Sequence, residues 1–473
     1  MSSATETATP QIASSKVNKA DIIKWAVTIL VPLIVWMIPM PFEHNIKAFL
    51  IITSWAITCW VTLVLPIEVT GVLIPCSFLL FKVAEPAVIF APWTNTVVWG
   101  TIALLMIGTA AMNSGLSTRL AYSLLVKMNT SLKGLIWGFS IAGIVLSFII
   151  TDSFVRAVVF VTIAIGICKA LDIAPRSKEA TALTLAAFLG MAGPCIGSLP
   201  AGNGLQVNSV FHATTGVYIT YAQWLLHNFV PSLAWTVVGV FCILKVLKIG
   251  NDSRFDAKEE LNRRYEEMGK MSRREKFVLL FLLLVVIDYM GATYVGLDPL
   301  LIPVFFVPFM FLPGVNALTA KDFEEMDLKI VFVITGALCL GATAANVGLV
   351  DLLIEHLTPL VAGSPVKMVM GTFFFTMLAK FILTPIAIIF TFADLFIKMA
   401  LAAGFNPLPV VYALNFATDT YIFPYEYVIL LVAFSFGYMN YKDTIKVLLA
   451  RTLLGIVVVS LVAVPFWKLI GLL

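Results

Sequence analysis

Phe148-Ile149-Ile150-Thr151-Asp152-Ser153-Phe154-Val155-Arg156 sets an acid, a base and two hydroxyls inside an otherwise apolar run. A counterpart lies 233 positions further on (148 to 381), where Phe381-Ile382-Leu383-Thr384-Pro385-Ile386 places Phe381 on Phe148 and Thr384 on Thr151. The register holds upstream without a gap. Gly108-Thr109-Ala110-Ala111-Met112-Asn113-Ser114-Gly115-Leu116 lies over Gly341-Ala342-Thr343-Ala344-Ala345-Asn346-Val347-Gly348-Leu349, with Gly, Ala, Asn, Gly and Leu matching. Gly, Ala and Leu are common in apolar helices, so one such block is weak. Two blocks at one offset make an internal repeat, a mark of many transporter folds.

The chain is 60% hydrophobic and 12% charged, far from the globular mix. Apolar runs near 20 residues recur, and as helix each spans a hydrocarbon core of about 30 Å. The fold class is therefore an all-α polytopic membrane protein, of about 11 transmembrane helices plus two re-entrant hairpins in two inverted repeats. The short alternating segments of a membrane β-barrel are absent. Six cysteines are scattered singly and four histidines form no ligand pattern, so the sequence argues against a metal site and a disulfide framework. An intramembrane enzyme would need a nucleophile–base pair or a His-Glu-x-x-His element, and neither occurs. The net charge of +4 resides in short loops that set orientation, and gives no sign of a nucleic-acid partner.

Residues 1–19 read as a disordered tail. Lys16, Lys19 and Lys24 hold the N-terminus in the cytoplasm before an uncleaved first span. Hairpin 134–168 has Lys133 and Lys169 at its ends, so it enters from the cytoplasm and returns there; hairpin 366–403 is its repeat. The segments 180–211 and 408–438 read as broken helices, interrupted near Gly193–Gly204 and at Thr418-Asp419-Thr420. The polar segment 248–276 is a cytoplasmic linker, and Lys442, Lys446 and Arg451 introduce a final span. With every basic cluster inside, the C-terminus falls outside and the repeats are inverted in an inner (cytoplasmic) membrane.

Unwound backbone in lipid is tolerated only where protein or a water-filled cavity surrounds it. Four breaks in two related pairs point to one place near the midplane. Half-helix N-termini there suit an anion, and unwound carbonyls suit a cation. The expected purpose is transport of a small anionic solute; a channel would not need inverted broken repeats.

With these features the chain resembles the divalent anion:sodium symporter (DASS) family, over nearly its whole length. That family carries a Ser-Asn-Thr triplet at each hairpin tip, here Thr151-Asp152-Ser153 and Thr384-Pro385-Ile386. Its broken-helix motifs correspond to Gly197-Ser198 with Pro200-Ala201-Gly202-Asn203, and to Thr418-Asp419-Thr420 with Pro424 beyond. Both triplet asparagines are missing and Ile386 replaces a hydroxyl, a departure from sodium-coupled members that fits the family's sodium-independent exchangers.

The resemblance implies a substrate site of Thr151, Asp152, Ser153, Arg156, Ser198, Pro200, Gly202, Asn203, Thr384, Pro385, Thr418 and Thr420. It implies a cation site at Asp152, Gly197, Asn203 and Asp419, with Na+ as the candidate coupling ion and no other cofactor. It also implies a homodimer that works as an elevator. Scaffold segments 20–96 and 277–329 would carry transport repeats 97–247 and 330–473 on either side of the linker. The expected cargo is a C4-dicarboxylate; the alternatives are a sulfate or sulfonate carrier and a proton or sodium antiporter.

Single residues remain two-sided at this level. Arg156 would hold a substrate carboxylate or pair with Asp152 four residues earlier, and Asp419 would bind a cation or cap a turn. Lys380 would sit near the anion or snorkel. Asp394 and Lys398 are spaced as an internal pair. Trp224, Trp235 and Trp467 read as interfacial anchors.

Overall fold

The computed structural model describes residues 19–473 apart from 63, 151–152, 193–196, 198–202, 251–254, 292–296, 299, 325, 327, 362 and 382. Every regular element among the described residues is helical. The chain begins with α1 (Lys19–Met37), α2 (His44–Thr62), α3 (Ile67–Leu80) and the single turn α4 (Pro86–Ile89). Next come α5 (Thr96–Asn113) and α6 (Leu116–Leu125), the pair α7 (Leu132–Ser147) and α8 (Ser153–Ala170), and the broken helix α9 (Lys178–Ala192) and α10 (Gly204–Thr215). The long α11 (Tyr221–Val246) leads to the linker helix α12 (Lys258–Glu267).

The second half runs through α13 (Arg273–Gly291), α14 (Leu301–Met310) and α15 (Ala320–Glu324). The bent pair α16 (Lys329–Asn346) and α17 (Leu349–Val361) follows, then the pair α18 (Pro365–Ala379) and α19 (Pro385–Ala402). The broken helix α20 (Leu408–Thr418) and α21 (Val428–Ser435) precedes α22 (Tyr441–Val458), which passes through a π turn into α23 (Val464–Leu469). Helices α5, α6 and α7 begin at Thr96, Leu116 and Leu132, and α16, α17 and α18 begin 233 residues later, at Lys329, Leu349 and Pro365.

Helices α6 and α17 continue the preceding helices after bends of 64° and 73°. The cause is a glycine at each bend. Gly115 and Gly348 have φ of 82° and 79°, a left-handed conformation that glycine adopts without a Cβ clash and that ends a helix.

Among the described residues five helices are long and apolar enough to cross a membrane, or seven if each bent pair is one span. The remaining expected crossings include shorter apolar helices, such as α3 of 14 residues, α14 of 10 and α20 of 11. At about 1.5 Å per residue, none of these three reaches across about 30 Å of hydrocarbon. Large apolar side chains stand exposed along α1, α11, α13 and α14, including Ile23, Leu226, Ile287 and Phe305, as a lipid-facing surface requires. Four of the cysteines are buried in apolar packing, whereas Cys76 is exposed.

Among the described residues the interior divides into two hydrophobic cores. One joins α7, α8 and α9 with α21 and the N-terminal half of α22; the other joins α18, α19 and α20 with α10, α5 and α16. Each broken helix thus leaves one half in each core, and the breaks are where the chain crosses over. Close crossings depend on small residues. A Cβ added at Gly143 of α7 would overlap the Gly190 carbonyl of α9, and one at Gly336 of α16 would lie 2.7 Å from the Gly71 Cα of α3.

Candidate functional site

Crossing between cores brings the two breaks face to face. Asn203, directly before α10, donates from Nδ2 to the Thr418 hydroxyl at 3.1 Å. Thr418 closes α20 and donates its own hydrogen back to the Asn415 carbonyl at 2.7 Å. Thr420 likewise donates to the Ala417 carbonyl at 2.6 Å. A helix end leaves its last carbonyls without intrahelical donors. Here Lys380, at the end of α18, supplies them: Nζ donates to Thr418 O at 2.7 Å and to Thr420 O at 2.6 Å. Its side chain is 1% exposed, so it does not snorkel to an interface.

Asp419 is more heavily engaged than its place in an apolar run announced. Its carboxylate accepts from Arg451 Nη2, from Trp235 Nε1 at 2.7 Å and from the Tyr421 hydroxyl at 2.9 Å. Arg451 Nη1 also donates to the Asp419 carbonyl at 2.7 Å. The Trp235 and Tyr421 rings flank the guanidinium, with centroids 5.1 and 5.3 Å from its carbon. The side chain expected to offer oxygens to a coupling cation has instead filled them with three protein donors. On the far side of the break, Glu426 accepts from the backbone N–H of Phe423 at 3.0 Å and folds the chain towards α21.

The paired helices present two more N-termini. Ser153 opens α8, and the buried Arg156 donates from Nη2 to its hydroxyl at 3.2 Å. Thr384 caps α19 by accepting from Ala387 N at 3.4 Å, and Pro385 takes the first helical position, where its missing N–H costs nothing. Gly197 lies tightly against α11, where an added Cβ would come within 2.9 Å of Ser232 Oγ. Thr151, Asp152, Ser198, Pro200 and Gly202 lie outside the described residues, as does any Asp152–Arg156 pair. Of the expected site residues, Asn203, Thr418, Asp419 and Thr420 meet at one place. Ser153 with Arg156 forms a second group, and Thr384 with Pro385 stands at the head of α19.

Several assignments change. Trp224, Trp235 and Trp467 are buried rather than interfacial; Trp467 donates to the His227 carbonyl at 2.9 Å, and Trp224 stands edge-on to Tyr412. Arg451 was read as a cytoplasmic orientation marker, yet it is 2% exposed. It lies ten residues into α22 (441 to 451), or about 15 Å along the helix, too deep for a loop residue. The signal that could have found it was Asp419 itself, since a buried acid needs a partner. Arg119 is likewise buried, and bonded to Glu275 at 2.6 Å. Asp394 and Lys398 do pair, at 2.8 Å, with Thr214 donating to the same carboxylate at 2.7 Å. Among the described residues no group of three or more His, Cys, Asp or Glu side chains could hold a metal ion.

Comparison with known proteins adds the family. The family model described as "Sodium:sulfate symporter transmembrane region" matches residues 19–473. A sodium-dependent dicarboxylate transporter of Staphylococcus saprophyticus is 24% identical over 448 residues, covering 87% of this chain and 84% of that protein. A sodium-dependent dicarboxylate transporter of Staphylococcus aureus is 22% identical over 245 residues, 48% of this chain and 46% of its own. A membrane protein of Cupriavidus necator is 26% identical over 263 residues, 52% of this chain and 51% of its own.

Proposed function

The chain belongs to the sodium:sulfate symporter family, hence is a membrane transporter and not an enzyme, and we propose that it carries small dianions, C4-dicarboxylates before others. The observation that supports this most is the Asn203–Thr418 bond, which joins the break of one repeat to the break of the other. Around that bond a dianion would meet half-helix N-termini with positive dipole ends. Thr151, Ser153, Asn203, Thr384 and Thr418 would donate to its two carboxylates. Arg156 would supply charge from the head of α8, where a buried cation is rarely idle. The two staphylococcal relatives are named as dicarboxylate transporters, which favours two carboxylates over one tetrahedral anion.

Sodium is the proposed coupling ion, as in the names of those relatives. Its ligands would be backbone oxygens around Gly197 and Asn203, because Arg451 occupies the Asp419 carboxylate. The same engagement weighs against a proton or sodium antiporter built on Asp419. A sulfate carrier is the second reading, favoured by the family description. Movement would be an elevator: a homodimeric scaffold of 20–96 and 277–329 would carry the two repeats across an inner membrane, with the N-terminus cytoplasmic and the C-terminus outside.

The test is uptake of labelled succinate into proteoliposomes, empty or preloaded with unlabelled succinate, with and without a sodium gradient. Sodium-driven uptake into empty vesicles means symport; uptake only into loaded vesicles, indifferent to sodium, means exchange. Uptake of sulfate with none of succinate would overturn the dicarboxylate reading.

A further inference from the structure

We propose that the amino group of Lys380 is a built-in cation that fills the cation position of the second helix break, leaving at most one such position for a mobile ion. This deepens the transport reading by fixing how many cations can be coupled. The geometry carries it. A broken helix offers a cation the carbonyl oxygens that its last turn no longer bonds. At the end of α20 Thr418 O is such an oxygen and Thr420 O follows two residues beyond the helix, and Lys380 Nζ lies 2.7 and 2.6 Å from them. The same nitrogen stands 4.6 Å from the Tyr421 ring centroid, a third electron-rich surface. An ammonium and a metal cation compete for the same lone pairs, and a metal ion cannot reach both carbonyls while Nζ is there.

Charge points the same way. Asp419, the acid nearest those carbonyls in sequence, is taken by Arg451. The cluster of Lys380, Arg451, Asp419 and Glu426 is thus neutral by formal charge without any bound ion. Lys380 arrives from α18, the first arm of the second helix pair, so its four-carbon stem also ties that pair to the break. In the first repeat the position equivalent to Lys380 is Ser147 (380 less 233), which brings no charge. The two repeats therefore differ at this position: the second brings a lysine and the first a serine.

Equilibrium binding of radioactive sodium to the purified full-length protein tests this without any organic substrate. Wild type should saturate at no more than one sodium per chain. Lys380→Ala should gain one, because it frees the two carbonyls and opens the space. Lys380→Met, which fills the same space without charge, should match wild type. Two or more sodium ions on wild type would overturn the proposal, as would a Lys380→Ala protein that binds no more than wild type. Should Lys380→Ala not fold, the wild-type count still decides. Failure of succinate or sulfate uptake in proteoliposomes would sink the transport reading and leave this binding count unaffected.

Discussion

Arg451 and Asp419 illustrate how a charge is kept inside an apolar protein. Each alone would carry a large desolvation cost; together, with Trp235, Tyr421 and a backbone carbonyl sharing the hydrogen bonds, they form a satisfied network. Removing one partner strands the other. Asp419→Ala should therefore destabilise the protein by about 3–5 kcal/mol, and Asp419→Ala with Arg451→Met should recover part of that. Unfolding of the four proteins of this double-mutant cycle checks it: a double mutant destabilised by the sum of the two single effects would show that the pair is not coupled. Asn203 and Thr418 make a milder case, a neutral hydrogen bond at a proposed substrate site. Asn203→Ala should raise the KM for succinate uptake roughly tenfold, the equivalent of about 1.4 kcal/mol, with little change in unfolding temperature. An unchanged KM would remove Asn203 from the site.

At the scale of elements, the polar linker is fastened by charge. Arg119 of α6 donates to Glu275 at the head of α13 and to the carbonyls of Gly269 and Met268 at 2.7 and 2.9 Å. Nearby, Arg274 and Asn113 both reach Asp322, each at 2.7 Å. Burial raises the Glu275 carboxyl pKa, but Arg119 and Ser272 outweigh that and hold it below its usual 4.5. A depressed carboxyl stabilises the fold at neutral pH, and that contribution is lost as pH falls through 4.5 towards the lower folded-state value. Glu275→Gln should accordingly lower the unfolding temperature at pH 7 and bring the variant closer to wild type as the solution is acidified. Parallel pH profiles would mean that the pair contributes nothing. The bent pairs α5–α6 and α16–α17 belong to this scale too, since a single glycine at each bend converts one run of residues into two helices.

For the whole molecule, the exchange of half-helices between the cores has a consequence. The second core needs α10 from the first half of the sequence, and the first core needs α21 and α22 from the second. Neither half is complete alone. Fragments 1–254 and 255–473, cut in the polar linker, should be degraded when expressed singly, and should co-purify from membranes when expressed together. A stable, monodisperse single fragment would show that the cores fold independently.

Much of this was legible in the residues themselves. Composition alone dictates a membrane-spanning helical fold, because about 20 apolar residues in succession have few other uses. The 233-residue offset shared by Gly115 and Gly348, and by Thr151 and Thr384, exposes the repeat, because equivalent helices need glycines and hydroxyls at equivalent bends. Asn203, Thr418 and Asp419 were marked for attention because polar residues at a break in lipid must be used. The sequence did not determine who their partners are. Whether Arg451 marks a loop or neutralises Asp419, whether Lys380 reaches an interface or caps α20, and whether Trp235 faces lipid or a carboxylate depend on how helices far apart in the chain come together. Side-chain hydrogen bonds extend only about 3 Å and are directional, so their partners exist only once tertiary packing has set the helices side by side.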